Sequence, residues 1–401
     1  MTFNKKVLAG LVAFAAASTS AQAVTVAAND GWELGVSGLI NQFIVHTSAN
    51  DNVGGASTGV SNDDFNEVRD GLLPAFLNFD MKAPTMNGLD IAAHISFSPA
   101  TNVDSYSGIE QREVYFTVAG SFGTVLAGKA LGLYGSHNIL TEQTLFGIGY
   151  GTGGNGTTTL GGIGLGYDYA SWRSQVKWTS NDMNGFKIAL AVMDPAQATL
   201  RVAGGKPTGS LTSGTNFGAP TTAFDSEDLR YEGDLSYTGA FDGGSYLLWL
   251  SGMYQGDKIA NGLDLKDNSQ AWTVGGTLAL GGFEFMAQYS DAQGSASATV
   301  ENEWSQYIVQ AGYRFGGTTL VSANYSRLTD DSSRAVREAA YGATAFAGGN
   351  ANDDSVDRIT VGVYHDVNAN LKLVAEYTKV EDDNSDVLDR DIFGIGGFVF
   401  F

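Results

Sequence analysis

The chain has 401 residues, 43 acidic against 22 basic, a formal charge of −21 and no cysteine. That balance speaks against nucleic-acid binding, which needs a basic face, and the lack of cysteine removes disulfides as a source of stability. Hydrophobic residues make up 43% of the sequence, yet beyond position 23 no stretch approaches the ~20 consecutive apolar residues of a spanning helix, so any entry into a membrane has to be by strands.

At the N-terminus Lys5 and Lys6 precede an apolar run over 7–17 and then Ala21-Gln22-Ala23. This is the charged, apolar, small-residue order of a cleavable secretory signal, and the run is too short to cross ~30 Å of hydrocarbon as a helix. Cleavage after Ala23 removes Lys5 and Lys6 and no acid, so the remaining charge is −23. The expected organisation is a signal over 1–23 and one body over 24–401. Glycine and aromatic residues are spread evenly through that body and no Pro-rich linker divides it, although length alone would suggest two or three domains.

Tight turns are expected at 84–88, 120–123, 181–185, 239–244, 281–282, 316–317 and 366–370. Between them lie longer stretches rich in Asn, Asp, Gly, Ser and Thr, such as 48–66, 196–226 and 330–354. The segments that remain alternate apolar and polar over about ten residues, the period-two signature of a membrane strand. Trp272, Val274, Leu278 and Leu280 share one parity against Thr273, Gly275 and Thr277. Phe283, Phe285 and Tyr289 oppose Glu284, Met286 and Gln288; Tyr307, Val309, Tyr313 and Phe315 oppose Gln306, Gln310 and Arg314; Val321 and Tyr325 oppose Ser322, Asn324 and Ser326. Short turns on one side and long loops on the other are the wiring of a transmembrane barrel with a periplasmic short side. The fold class expected is all-β: a transmembrane antiparallel β-barrel of about sixteen strands, within the even-numbered range of such proteins.

Charge placement agrees with that phase, since a Lys or Arg facing mid-bilayer lipid costs about 2–4 kcal/mol. Asp80, Asp90, Glu113, Arg173, Lys177, Glu232, Asp234, Glu284, Arg314, Arg358, Lys372 and Glu376 all fall on the inward parity. Trp32, Trp178, Tyr237, Trp272, Tyr289, Trp304 and Tyr377 stand near strand ends, where interfacial girdles form. A soluble β-sandwich would also alternate, but sixteen such strands without one buried on both faces do not suit it.

Other constellations point nowhere. Gly151-x-Gly153-x-x-Gly156 matches a dinucleotide fingerprint in letters but sits in a Gly/Thr loop, without the βαβ context that motif needs. The acidic runs Asp63-Asp64, Asp353-Asp354 and Glu381-Asp382-Asp383, with Asp386 and Asp389, reproduce no calcium-loop spacing. His46, His94, His137 and His365 lack metal-ligand spacing, and no Gly-x-Ser-x-Gly elbow occurs. No catalytic residue, cofactor or metal is expected. An outer-membrane enzyme would need a Ser/His or Asp/His pair at the rim, and His365-Asp366 is the nearest approach, on the turn side.

Three places carry a resemblance. Residues 112–129, REVYFTVAGSFGTVLAGK, look like the hairpin that precedes the pore loop of Gram-negative general diffusion porins, especially the Gly-rich trimeric kind of proteobacterial outer membranes. Residues 178–186, closing on Asn184-Gly185-Phe186, resemble the hairpin that follows. Phe401, with Val399, Ile395 and Phe393 on its parity, resembles the terminal signal by which such barrels are recognised for assembly. The resemblance implies a homotrimer among outer-membrane lipid and lipopolysaccharide, inserted by the barrel-assembly machinery and passing small hydrophilic solutes. It also implies a third loop folded into the lumen, here at about 130–170, a length uncommon in loops without a function. In that family, acids on the loop, here Glu142 and Asp168, oppose a basic cluster on the wall, for which Arg173, Lys177, Arg358 and Lys129 are the candidates. Strict alternation with Val125 and Ala127 would turn Lys129 outward. Phe76 and Asp80 stand where a wall arginine and lysine are usual, which weakens the basic side. With Glu113, Glu232, Asp234 and Glu376 also inward, cation preference is expected, because like-signed walls concentrate counter-ions. The alternatives are a substrate-specific porin, a barrel enzyme or an adhesin. Gly38, Ala75 and Gly397 are expected to form a flat outward surface near the barrel closure.

Overall fold

The computed structural model describes residues 24–49, 64–99, 101, 109–150, 161–195, 228–256, 258–259, 263–264, 268–297, 300–330, 354–383 and 389–401. The expected signal, the Gly151–Gly156 motif, Asp63, Asp353, Asp386 and most of the long loops lie outside these. Sixteen strands form a closed antiparallel barrel. They are β1 (Trp32–Ala49), β2 (in two pieces, Phe65–Arg69 and Phe76–Lys82), β3 (Asp90–Pro99), β4 (Val114–Gly120), β5 (Gly123–Leu131), β6 (Trp172–Thr179), β7 (Phe186–Met193) and β8 (Arg230–Phe241). The second half comprises β9 (Gly244–Gln255), β10 (Ser269–Leu280), β11 (Phe283–Ser297), β12 (Val300–Phe315), β13 (Thr319–Asp330), β14 (Asp354–Asn368), β15 (Leu371–Asp382) and β16 (Arg390–Phe400).

Each strand pairs with the next, and β16 returns to β1 in register from Leu39 opposite Phe400 to Ala49 opposite Arg390. The last residue finishes this seam: Gly38 N–H donates to the Phe401 carbonyl at 2.7 Å and Phe401 N–H to the Gly38 carbonyl at 3.0 Å. A Cβ on Gly38 would strike the Phe76 carbonyl and, at 2.7 Å, the Phe401 ring, so Gly38 is covered by Phe401 instead of offering the flat surface expected of it. Below the seam, the short strand Val24–Asn29 pairs with the start of β1 on the same edge.

All seven expected turns are present. At Asn87-Gly88 (φ 54° and 75°) and Asn184-Gly185 (φ 59° and 95°) two successive residues have positive φ, the primed-turn geometry that matches strand twist and for which Asn-Gly is the favoured sequence. One loop-side connection departs from the expected length, since only residues 298–299 separate β11 from β12.

The outward parity is apolar: Ile44, Val176, Leu190, Leu250, Val274, Phe285, Val309, Val361, Ile395 and Val399 are all exposed, as lipid-facing residues must be. The inward parity carries much Ser, Thr, Gln and Asn, but Leu247, Met286, Ile308, Leu328 and Val374 are buried on it too, and a further apolar group beside β16 departs from the polar lumen expected. Leu39, Phe43, Ile392, Phe398 and Phe400 point inward and are buried in a cluster with Leu72, Leu145, Phe146 and Ile148. Phe398 stacks on Phe400 and meets Phe43 and Phe146 edge-on. These residues avoid water because the loop between β5 and β6 covers them. Opposite this cluster β2 is interrupted over 70–75. Gly71 N–H donates to Asn41 Oδ1 at 2.7 Å, Asn41 Nδ2 donates to the Leu73 carbonyl at 2.8 Å, and Leu72 N–H reaches the loop carbonyl of Gly147 at 2.8 Å. Ala75 is therefore buried in this break and is not part of an outward surface. Trp304 is likewise no girdle residue. It pairs with Ala292 and Asp330 on the inward parity and is hydrogen-bonded to the loop.

Candidate functional site: a lumen narrowed by an infolded loop

The loop between β5 and β6 runs into the lumen through a short helix, α1 (Ser136–Thr141), and a 3-10 turn (Gln143–Phe146). Its two arms touch at Gly149 and Gly161, which form a parallel bridge with φ of 59° and 58°. A Cβ on Gly149 would collide with the Gly161 backbone, so this close approach requires glycine.

Four carboxylates fix the loop to the wall. Two belong to the wall and accept loop backbone N–H groups. Glu232 of β8 receives Leu133 N–H at 2.6 Å and Tyr134 N–H at 2.9 Å, and is held by Arg230 at 2.6 Å. Glu376 of β15 receives Ile148 N–H and, at 3.2 Å, Gly149 N–H, with Tyr364 donating to its other oxygen at 2.9 Å. The other two belong to the loop and face the wall. Glu142 accepts from Arg358 of β14 at 3.0 Å, Asn324 of β13 at 3.2 Å and Tyr167 at 2.9 Å; the Glu142 and Arg358 side chains are both fully buried. Burial, with the adjacent Glu142 charge, holds the Tyr167 hydroxyl well above its ordinary range, so it remains a donor. Asp168 accepts from Gln306 at 2.8 Å, Trp304 at 3.0 Å and Tyr134 at 2.7 Å. Between these points Asn138 bonds Thr273, Gln288 and Trp249, and Gln143 bonds Gln310 and the Thr360 carbonyl. Buried carboxylates are tolerable only when paired and hydrogen-bonded in this way.

These attachments run along the wall from β8 to β15. On the opposite arc the inward side chains of β2, β3, β4 and β6 meet one another. His94 of β3 has Asp80 of β2 at 2.7 Å on Nδ1 and Glu113, ahead of β4, at 3.6 Å on Nε2. The ring of Tyr115 stacks on the imidazole, with centroids 5.0 Å apart and planes 21° apart. The carboxylates are open to the lumen, with 52% of the Asp80 and 25% of the Glu113 side chain exposed. Lys177 lies on the inward parity of β6, opposite Leu126 and Ala191, in electrostatic reach of Glu232, Glu113 and Asp234. Arg112 lies 6.0 Å from the Phe76 ring and 5.9 Å from that of Trp172.

Of the residues singled out from sequence, Glu142 and Arg358 come together, but in direct contact and away from water, so they do not oppose each other across an open passage. Asp168 also faces the wall. Glu113 and Lys177 line the open arc, while Arg173 is inward but buried. Lys129 is opposite Val114 and Ser174 on the outward parity, so alternation removes it from the constriction. His365 and Asp366 form no catalytic pair. The histidine bonds Thr319 on the outer face, and Asp366 binds Lys372 at 2.5 Å inside. Among the described residues no group of three His, Cys, Asp or Glu is placed to hold a metal ion. Sequence reasoning passed over the His94–Tyr115 pair because its members lie on different strands. The signal in the sequence was the inward parity of each, His94 across the Asn87-Gly88 turn from Asp80 and Tyr115 two positions after Glu113.

A closed sixteen-stranded barrel, apolar outside and narrowed by its own third loop, is the architecture of an outer-membrane channel. A model of the Gram-negative porin family matches residues 8–385, and the chain belongs to that family, whose place is the outer membrane. Among solved structures it resembles the anion-selective porin of Comamonas acidovorans (TM-score 0.61, 13% identity, covering 92% of this chain and 100% of that one). It is also similar to OmpF of Salmonella typhi in complex with daunomycin (0.59, 14%, 94% and 99%) and to OmpT, an outer membrane protein of Vibrio cholerae in its trimer form (0.56, 12%, 93% and 100%). A comparison with curated protein sequences found no match.

Proposed function

We propose that this porin is a cation-preferring channel through which ions and small hydrophilic solutes diffuse passively, working as a homotrimer after removal of residues 1–23. The observation that carries the preference is the fate of the lumenal acids. Glu142, Asp168, Glu232 and Glu376 are engaged in holding the loop, whereas Asp80 and Glu113 keep side-chain surface in the lumen. A confined passage with exposed carboxylates concentrates cations, and the one lysine among them, Lys177, has acids on either side. The trimer form recorded for the similar Vibrio cholerae protein supports the same assembly here. Phe401 is the proposed assembly signal, and its removal also deletes both hydrogen bonds that finish the seam. A chain lacking Phe401 is expected to reach the outer membrane in much reduced amount; normal surface levels would refute that role.

The deciding experiment is planar-bilayer conductance of the refolded protein, with the reversal potential taken across a KCl gradient. Current steps in multiples of three with a cation-favouring potential are expected. Anion preference would hand control of the passage to Lys177 and its basic neighbours, and an absence of conductance would overturn the channel reading.

A further inference from the structure

We infer that the open arc carries a binding platform for planar organic cations, built from Tyr115 and His94 and flanked by Asp80 and Glu113. The inference rests on the channel reading and specifies a class of solute for it. Three features of the cluster point to that class. Two carboxylates flank one imidazole, so the group is net negative whether or not the ring is protonated. The acids reach lumenal water from different strands, β2 and the segment before β4, on the two sides of the ring, so a cation resting there is attracted from both sides. Beside them stands one aromatic face, that of the half-buried Tyr115, whose other face is covered by His94 stacked nearly parallel on it and itself only 13% exposed. Aromatic faces attract cations through their quadrupole and planar groups through stacking. A small inorganic cation uses only the charge, and a planar anion only the surface. A planar cation uses both.

The loop side of the lumen repeats the combination. His137 of α1 stacks on Trp249 of β9, with centroids 5.4 Å apart and planes 24° apart, and its Nε2 lies 3.2 Å from Asp234. Lys177 is in reach of acids from both clusters, Glu113 and Asp234, so they border one stretch of passage. Trp249 is only 2% exposed, which leaves the half-buried Tyr115 ring, backed by His94, as the primary platform.

The test is single-channel recording in KCl with one probe added at a time: N-methylacridinium as planar cation, tetrapropylammonium as non-planar cation of the same charge, and naphthalene-2-sulfonate as planar anion. Blockades by the planar cation are expected to last about fivefold longer than those of the non-planar cation, the factor that one water-exposed cation–aromatic contact supplies, and the planar anion is expected to block least. In Tyr115→Leu, with dwell times scaled to that variant's own KCl current, the advantage of the planar over the non-planar cation should vanish. Equal dwell times for the two cations in the unaltered protein would overturn the inference while leaving the channel standing, as would an unchanged ratio in Tyr115→Leu. A protein that passes no KCl current would refute the channel reading itself. The comparison of probes in the unaltered protein needs no variant to fold.

Discussion

The two sides of this lumen use the same residue types for opposite ends. From β8 to β15 the acids that hold the loop are enclosed: Glu142 meets Arg358 with no exposed side-chain surface on either, and Glu232 and Glu376 accept backbone N–H groups of the loop, while Glu284 and Asp366, which keep about a third of their side-chain surface, are paired with Arg314 and Lys372. From β2 to β6 the acids stand open around His94. A count of inward charges therefore misjudges what a solute meets. Carboxylates that secure the loop are screened by their partners, and the few left exposed govern the passage. The difference also separates stability from selectivity, since an enclosed ion pair resists disruption through desolvation while an exposed carboxylate acts mainly through its field.

The sharpest way to break this contrast is at the enclosed pair. Arg358→Ala leaves Glu142 buried and uncompensated, a loss of roughly 3–5 kcal/mol. It should free the loop, lowering the thermal midpoint and raising or destabilising single-channel conductance. Replacing both partners, as Glu142→Gln with Arg358→Gln, should recover much of that loss, because neither charge then remains alone. If the double variant is as damaged as Arg358→Ala, the pair is not the fastening described. Glu376→Gln is expected to do less, about 1–3 kcal/mol, since an amide oxygen still accepts from Ile148 or Gly149 but without the charge.

On the open side the expected effects reverse. Asp80→Asn with Glu113→Gln should lower the melting temperature much less than Arg358→Ala, because both acids reach water and an amide at each position can still hydrogen-bond His94. The same change should move the KCl reversal potential toward anions. A melting shift comparable to that of Arg358→Ala would mean that the His94 cluster is a structural support like the four fastenings, and the division of the lumen would fail.

The barrel was legible in the sequence because its determinants are local. Asn87-Gly88 and Asn184-Gly185 specify primed turns by themselves, and alternation such as Trp272 to Leu280 needs only period two. The seam could also be anticipated from Phe401. The loop's fastenings were not legible, because each joins residues far apart: Glu142 finds Arg358 across 216 positions and Ile148 finds Glu376 across 228. Parity placed Arg358 and Glu376 inward, and the resemblance put Glu142 on the infolded loop, but neither said whether a loop group or water would meet each wall residue. The apolar interior beside β16 was hidden for the same reason. Phe398 and Phe400 break the polar-inward rule only because Phe146 and Ile148 arrive from the loop to cover them. The break in β2 belongs to the same construction, since Leu72 leaves the ladder to reach Gly147.

The smallest effect is expected at Lys129, and it tests whether parity or resemblance governs a residue's role. As one of a basic cluster around a constriction, Lys129 would draw anions inward, and Lys129→Gln would increase cation preference. Its register opposite Val114 and Ser174 puts it outside the lumen, behind the barrel wall and away from the passage. Lys129→Gln should therefore leave the KCl reversal potential where it was, whereas Lys177→Gln, on the inward parity of β6, should make it more cation-favouring. Removing a cation from an outward face also removes the cost of holding it against lipid or a neighbouring subunit, so a neutral or slightly positive change in melting temperature is the accompanying sign. A reversal potential that moves equally in both variants would mean that Lys129 acts on the passage, and the inward and outward faces of β5 would need to be exchanged at that position.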